Sequence, residues 1–334
     1  MKILVTGGGG FLGQALVRQL LARGDTVRIL TRSAQPALAA TGVQCLRGDI
    51  ADATVTRTAC EGQDAVFHTA AKAGVWGREE AFYSTNVTGT QNILDACAAA
   101  RVPFLIHTST PSVVYNGRPL AGVDETRPLT RACPCPYPLT KAEAERRVLA
   151  ANGSTLRTVA LRPHLIWGAG DPHLVPRVVQ QARAGRLRII GDGLNRVDLT
   201  HVANAAHAHL LALDALQRPN AAAAGRAYFI SDGAPVTLWA WINALLERLG
   251  IPPVTRRTTL GVARGIGAVA ELLWRVLPLH GEPPLTRFVA VELAEDHWFD
   301  INAARQDLGY APVADNAAAL DALVAELRIS RPKT

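Results

Sequence analysis

The chain has 334 residues, 49% of them hydrophobic, enough for one large core or a main domain carrying a smaller one. Its net charge of +7 suits an anionic ligand, yet the basic residues are scattered singly and no basic run interleaves with aromatics, which argues against nucleic acid as a partner. Five cysteines, Cys45, Cys60, Cys97, Cys133 and Cys135, odd in number and without framework spacing, exclude a disulfide scaffold and suit a reducing compartment.

The opening MKILVTGGGG reaches glycines at once, without the apolar stretch and cleavage site of an export signal, so a cytoplasmic location is expected. KILVT reads as a strand, followed by a helix from about Phe11 to Arg23 and by the strands TVRIL, VQCLRGD and DAVFHTAA. A helix near Thr90 to Arg101, the strand PFLIHTS, a helix after Tyr137 and the strand RTVALRP continue the alternation. Alternating strands and helices predict an α/β fold with a doubly wound parallel sheet of Rossmann type. Residues 1–167 are expected to form most of the dinucleotide-binding part, with sheet and helix segments returning near 197–232. Beyond Gly168 the glycine- and proline-containing segments GAGDPH, RIIGDG and ISDGAPV loosen the pattern. There, over 168–196 and 233–330, a smaller substrate-binding region is expected, with the pocket outside the carboxyl ends of the strands.

TGGGGFLG stands between the first strand and the first helix, and its Gly7, Gly10 and Gly13 recur every three residues. Glycine leaves room for backbone amides and a helix N-terminus to approach a pyrophosphate, and lets helix and strand pack closely. The second strand ends Ile29, Leu30, Thr31, Arg32. Chains that bind NAD usually carry an acid at this place; here it is absent and an arginine follows, as a 2′-phosphate requires, so NADP(H) is the expected cofactor. Asp49, in RGDIAD, is placed to accept from the adenine amine.

Tyr137 and Lys141, in YPLTK, are four residues apart and share a helix face. A tyrosine is a poor acid–base catalyst at neutral pH, and a nearby ammonium favours its phenolate, so the pair predicts a lowered tyrosine pKa. The strand end HTSTPSVV offers Thr108, Ser109, Thr110 and Ser112 as hydroxyls to hold a substrate carbonyl oxygen.

Together, TGGGGFLG, HTSTPSV and YPLTK resemble the extended short-chain dehydrogenases, in that family's order. The segments NVTGTQNILDAC, LRPHLIWGAGD, VDLTHVANAAHAHLLA and AYFISDGAPVT are similar to its 3β-hydroxysteroid dehydrogenase branch. The resemblance implies carbonyl–alcohol interconversion by hydride transfer, with Tyr137 moving the proton and Lys141 binding the nicotinamide ribose. The family's serine falls on Thr110, so Ser112 and Ser109 stay open as the third catalytic residue. Asn86 matches the helix asparagine of the catalytic set and Pro163 the proline beside the nicotinamide, while Phe11, Leu12, Ile50, Ala70 and Ala71 join the cofactor-binding residues. The missing acid on the second strand further resembles the 3-oxo acid reductases of long-chain olefin formation. That implies a carboxylate-bearing, long-chain lipid substrate, with His164, Arg118 and Arg196 as candidates to receive the carboxylate, and a homodimer through the helices after Asn86 and Tyr137. A steroid dehydrogenase, a nucleotide-sugar epimerase or dehydratase, and a noncatalytic NADP-responsive binding protein are the rival readings.

No metal site is expected. His201, His207 and His209 lie on a helical pattern whose spacing does not converge ligands, and Cys133 and Cys135, one residue apart, lack a partner pair. Residues 260–279 are markedly apolar, but Arg264, Glu271 and Arg275 recur at helical spacing along one expected stripe, against a membrane span. This helix is expected to pack on the core, to cover an acyl chain, or to touch a membrane surface or a pathway enzyme.

Overall fold

Seven stretches rich in β-branched and aliphatic residues pair into one sheet: β1 (Lys2–Thr6), β2 (Thr26–Thr31), β3 (Gln44–Arg47), β4 (Ala65–His68), β5 (Phe104–Thr108), β6 (Arg157–Pro163) and β7 (Arg226–Ile230). In the computed structural model, which describes residues 1–172, 174–277 and 279–329, every pair in this sheet is parallel and the order is β7-β6-β5-β4-β1-β2-β3. The order reverses at β1, and at such a switch point a crevice opens outside the carboxyl ends of the strands. Pro278 and Ser330, which fall within the expected 233–330 region, lie outside the described residues.

Alternation along the strands supplies two faces. Ile3, Val5, Ile29 and Phe67 join the core under helices α1 (Phe11–Ala22) and α5 (Val202–Gln217); Leu4, Leu30, Val66 and Leu105 join the core under α2 (Ala53–Cys60) and α3 (Gly89–Ala100). Local signals set the helix ends. Asp52 caps α2 by accepting from Thr54 N at 2.8 Å, and α3 stops at Arg101, whose φ of 57° is left-handed. Between α3 and β6 the chain adds α4 (Pro136–Ala150), opened by a proline whose missing N–H costs nothing in a first turn.

A second core gathers Trp167, Val175, Trp239, Leu245 and Leu323, supplied mainly by α6 (Leu238–Arg248) and the helices Leu174–Arg183 and Asn316–Ile329, with α7 (Leu260–Val276) packed beside it. Its four-stranded sheet joins Val236–Thr237, Arg196–Val197 and His297–Phe299 to Leu120–Val123. Leu120–Val123 comes from the first half of the chain and pairs with His297–Phe299, so the two regions interleave rather than follow one another. No helix among the described residues is long and apolar enough to cross a membrane.

Candidate active site

β1 runs directly into the glycine loop. Gly7 takes φ +70°, and a Cβ there would fall 2.9 Å from the Ala70 Cα; only glycine accepts both the left-handed turn and that approach. A Cβ on Gly13 would sit 2.2 Å from the Gly7 carbonyl oxygen, so helix and loop touch backbone to backbone. Gly10 N donates to that same oxygen at 2.8 Å. The turn Phe11, Leu12, Gly13 opens α1 without a side-chain cap, leaving its amides as an anion site. The cradle fits the pyrophosphate of a nicotinamide dinucleotide.

Around it, Ala70 N donates to Thr6 Oγ1 at 3.2 Å and Ala71 follows, exposed. Ile50 is buried over Gly89, and Asp49 is half-buried with Oδ1 accepting from Ala51 N at 2.9 Å. Arg32 is exposed just past β2. Beside it stands a residue that reading the sequence missed: Arg47 lies opposite Thr31 in the sheet register, and its Nε donates to the Arg32 carbonyl at 3.2 Å. The signal was its place at the end of the strand, two residues before Asp49. Pro163 ends β6, buried, next to the strand that carries Thr108.

Tyr137 sits in the first turn of α4. Burial pushes its hydroxyl up to about 12, partly opposed by a hydrogen bond with Thr110. This corrects the expected lowering. Lys141 does not hold the tyrosine down, because its buried ammonium donates to the Thr108 carbonyl at 2.6 Å and to His107 Nε2 at 3.2 Å. Burial pulls Lys141 down to about 7, and Glu145 only partly opposes this. The Glu145 carboxylate is itself clamped by Arg162, through Nε at 3.0 Å and Nη2 at 2.5 Å.

The hydroxyls separate. Thr108 donates to His209 Nε2 at 2.7 Å, since His209 Nδ1–H is held by the Ala205 carbonyl. Ser109 is buried with its Oγ unpartnered. Thr110 is the one that meets Tyr137, with Ser112 Oγ 3.1 Å from its own Oγ1. Asn86 is buried and holds the loop after β4: Oδ1 accepts from Lys72 N at 2.7 Å, and Nδ2 reaches Thr140 Oγ1 at 3.1 Å between Tyr137 and Lys141.

Beneath Lys141 a polar ladder crosses the sheet. Thr6, His68 and His107 are register partners on β1, β4 and β5. Thr90 gives its hydroxyl hydrogen to the Asn86 carbonyl at 2.6 Å, so it accepts from His68 Nε2 at 2.9 Å, and Thr6 donates to His68 Nδ1 at 2.8 Å. His68 is therefore neutral, and burial, with Lys141 adding, pulls it down to about 3. His107 is lowered for the same reasons.

A cleft of about 200 Å³ opens at the loop leading into Tyr137, lined by Tyr115, Pro134, Arg264, Arg287, Phe288 and Glu295. Arg287 is held by Glu271, Nε to Oε2 at 2.8 Å, while the charge of Arg264 is felt at Tyr115 and Glu295. Neither arginine was a carboxylate candidate in the sequence; their place depends on folding the second half back over the first. Of the three that were, Arg118 is exposed beside the cleft residue Gly117 and Arg196 is exposed over the Trp298 ring at 5.1 Å. His164 is buried, its Nε2 2.6 Å from His297 Nδ1, and His297 Nε2 donates to the Glu292 carbonyl at 2.6 Å. His164, His297 and Glu292 come within 4.8 Å of one another, whereas His201 caps α5 by accepting from Ala203 N at 3.3 Å. The Cys133 and Cys135 thiols are pushed up by burial, to about 11 and about 12.

The sequence profile of the 3-beta hydroxysteroid dehydrogenase/isomerase family matches residues 4–260. The chain is 51% identical over 315 residues to a 2-alkyl-3-oxoalkanoate reductase of Stenotrophomonas maltophilia, covering 93% of this chain and 95% of that one. It is 42% identical to a protein of the same name from Shewanella oneidensis, over 97% and 85% of the two chains. Among solved structures, a double mutant of the dTDP-glucose 4,6-dehydratase DesIV of Streptomyces venezuelae, with NAD and DAU bound, superposes at a TM-score of 0.77 with 26% identity over 99% and 98% of the chains.

Proposed function

The chain belongs to the 3-beta hydroxysteroid dehydrogenase/isomerase family and is an oxidoreductase of the short-chain dehydrogenase kind, and from that premise we propose that it reduces a 2-alkyl-3-oxoalkanoate to the 2-alkyl-3-hydroxyalkanoate with NADPH. Long-chain olefin formation is the setting in which such a hydroxy acid is consumed. The observation that carries the substrate class is the cleft beside the Tyr137 loop, where Arg264 and Arg287 stand against Phe288 and Tyr115. Guanidinium groups receive a carboxylate, and the apolar lining receives alkyl chains.

When bound, the reduced nicotinamide supplies the hydride that forms the new C–H bond at C3. The chain's own groups handle the oxygen. Tyr137 gives its hydroxyl proton to the carbonyl oxygen as that oxygen gains charge, and Thr110, hydrogen-bonded to Tyr137, orients the hydroxyl and the substrate oxygen together. Lys141, whose ammonium donates to the Thr108 carbonyl and to His107 Nε2, fixes the end of the strand that leads into Thr110 and is the group to bind the nicotinamide ribose. Asn86 positions α4 through Thr140. Arg32 and Arg47, side by side and exposed, fit a 2′-phosphate; this supports NADPH over NADH.

The family match favours a second reading, a 3β-hydroxysteroid dehydrogenase. NADPH oxidation, with NADH in parallel, on a long-chain 2-alkyl-3-oxo acid and on a 3-oxosteroid separates the two. Turnover of the acid alone is expected; turnover of the steroid alone moves the protein to the second reading, and turnover of neither after cofactor binding revives a noncatalytic role. A cytoplasmic homodimer through α3 and α4, which pack on each other, completes the proposal, and sedimentation velocity tests the dimer.

A further inference from the structure

His107 follows Phe104, Leu105 and Ile106 on β5, deep in the sheet, and is completely buried. Strands covered on both faces are ordinarily apolar throughout, so a leucine would suit this place as well. What the ring does is meet Lys141, whose Nζ lies 3.2 Å from its Nε2. An ammonium donates three hydrogens and accepts none, so Nε2 accepts and the ring hydrogen sits on Nδ1. That Nδ1 is buried without a partner among the described residues. His68, its ring centroid 5.2 Å away, cannot take the hydrogen, because its Nδ1 accepts from Thr6 and its Nε2 donates to Thr90. The other tautomer would turn an N–H onto the ammonium. An orphaned buried N–H is unfavourable, and it persists here because the contact with Lys141 fixes the tautomer.

The groups packed around the ammonium leave its charge unpaired. Glu145, one turn further along α4, is clamped by Arg162 of β6. His68 on β4 is neutral, His209 on α5 gives its Nδ1–H to the Ala205 carbonyl, and burial keeps Tyr137, one turn earlier, un-ionised. Two neutral acceptors, the Thr108 carbonyl at 2.6 Å and His107 Nε2, hold two of the ammonium hydrogens. The third is left for a ligand. We propose that His107 is a positioning residue of the reaction: its Nε2 keeps Lys141 protonated and oriented, with one hydrogen free for the nicotinamide ribose. This assignment rests on the proposed reductase reading. A carboxylate at 107 would pair with the ammonium and cancel its charge; an apolar side chain would leave it one acceptor short.

The test compares three variants of the full chain. His107→Leu removes the acceptor, His107→Gln carries an amide oxygen out to the place of Nε2, and His107→Asn holds the same amide one carbon short. With four lysines in the chain, labelling lysine Cε with ¹³C lets NMR follow the titration of Lys141, assigned by the resonance that Lys141→Arg removes. Burial sets that titration at about 7 in the parent. Losing an acceptor of the charged form lowers it, so His107→Leu and His107→Asn should each shift it down by about one pH unit, the worth of one hydrogen bond. NADPH binding at pH 7, read by fluorescence without substrate, should weaken about tenfold in the same two variants. His107→Gln should restore both. The melting temperature of His107→Leu should not fall, because the orphaned N–H is gone. Parent-like titration or parent-like NADPH affinity in the leucine and asparagine variants overturns the proposal. So does a lowered melting temperature in all three variants without a shift at Lys141, which makes the histidine a packing residue. Should His107→Leu not fold, glutamine against asparagine decides the matter. Weakened NADPH binding in a chain that turns over no oxo acid removes the proposed reaction and keeps the link from His107 to Lys141; unchanged binding in a chain that does turn it over removes the link and keeps the reaction.

Discussion

The cofactor cradle and the cleft at the loop before Tyr137 are built by opposite means. In the cradle, β1, the glycine loop and α1 are contiguous, and fit comes from missing side chains: the Gly13 Cβ position lies 2.2 Å from the Gly7 oxygen. In the cleft, Tyr115 and Pro134 from one part of the chain face Arg264, Arg287 and Phe288 from another, and fit comes from side chains brought more than a hundred residues together. A site of the first kind tolerates almost no substitution. A site of the second kind can change its specificity one residue at a time without disturbing the fold, which is how one cofactor fold serves many substrates.

Several perturbations would break or sharpen that contrast. The largest effect is expected at the reacting hydroxyl: Tyr137→Phe lowers kcat by about 10²–10⁴-fold while cofactor affinity, read by fluorescence quenching, holds. Unchanged turnover removes Tyr137 from the chemistry. Next is the sheet beneath the site. His68 and His209 are lowered by burial to about 3 and about 4, and His107 is lowered too. The unfolded chain then binds more protons than the folded one below the ordinary value of 6.5, so stability falls as pH drops from 6.5 toward 4, by roughly 1.4 kcal/mol per pH unit for each such histidine. Asp198, raised to about 6 by burial, works in the opposite direction and offsets part of the loss. Urea denaturation at pH 7, 6 and 5 reads the slope, and a flat profile would mean the histidines are protonated in the fold.

In the cradle, Gly13→Ala is expected to cost about 1–3 kcal/mol through overpacking and to weaken the cofactor. Thermal melts with and without NADPH measure both, and an unchanged melt means that the loop yields. In the cleft, Arg264→Leu should raise KM for the oxo acid about tenfold to a hundredfold, the worth of one charge-assisted contact. The same change should leave an uncharged ketone unaffected; equal losses for both would place the carboxylate elsewhere. The smallest effect is at the cradle's rim, where Arg32→Ala and Arg47→Ala should each weaken NADPH by about tenfold and NADH hardly at all. Equal losses would detach both arginines from cofactor choice.

The sequence alone determined six of the seven strands of the parallel sheet, with the seventh given only as sheet returning near 197–232, the glycine loop and the Tyr137–Lys141 pair, because each is a local pattern: alternation for strands, a three-residue repeat of glycines, a four-residue helical step. Helix ends shifted by only a residue, from Arg23 to Ala22 and from Arg101 to Ala100. Tertiary structure decided what long-range packing alone can decide. It sent Lys141 to the Thr108 carbonyl and His107 instead of leaving it to lower Tyr137. It also set Thr108 and Ser109 apart from Thr110 and Ser112, by directing Thr108 to His209 and burying Ser109, while the side chain of Thr110 faces Tyr137. The charges at 264, 271 and 275, one stripe by spacing, were parted by their neighbours: Glu271 inward to Arg287, Arg264 to the cleft, Arg275 over Trp76. Periodicity says which side chains share a helix face, but which face meets protein depends on partners that only the folded chain brings near.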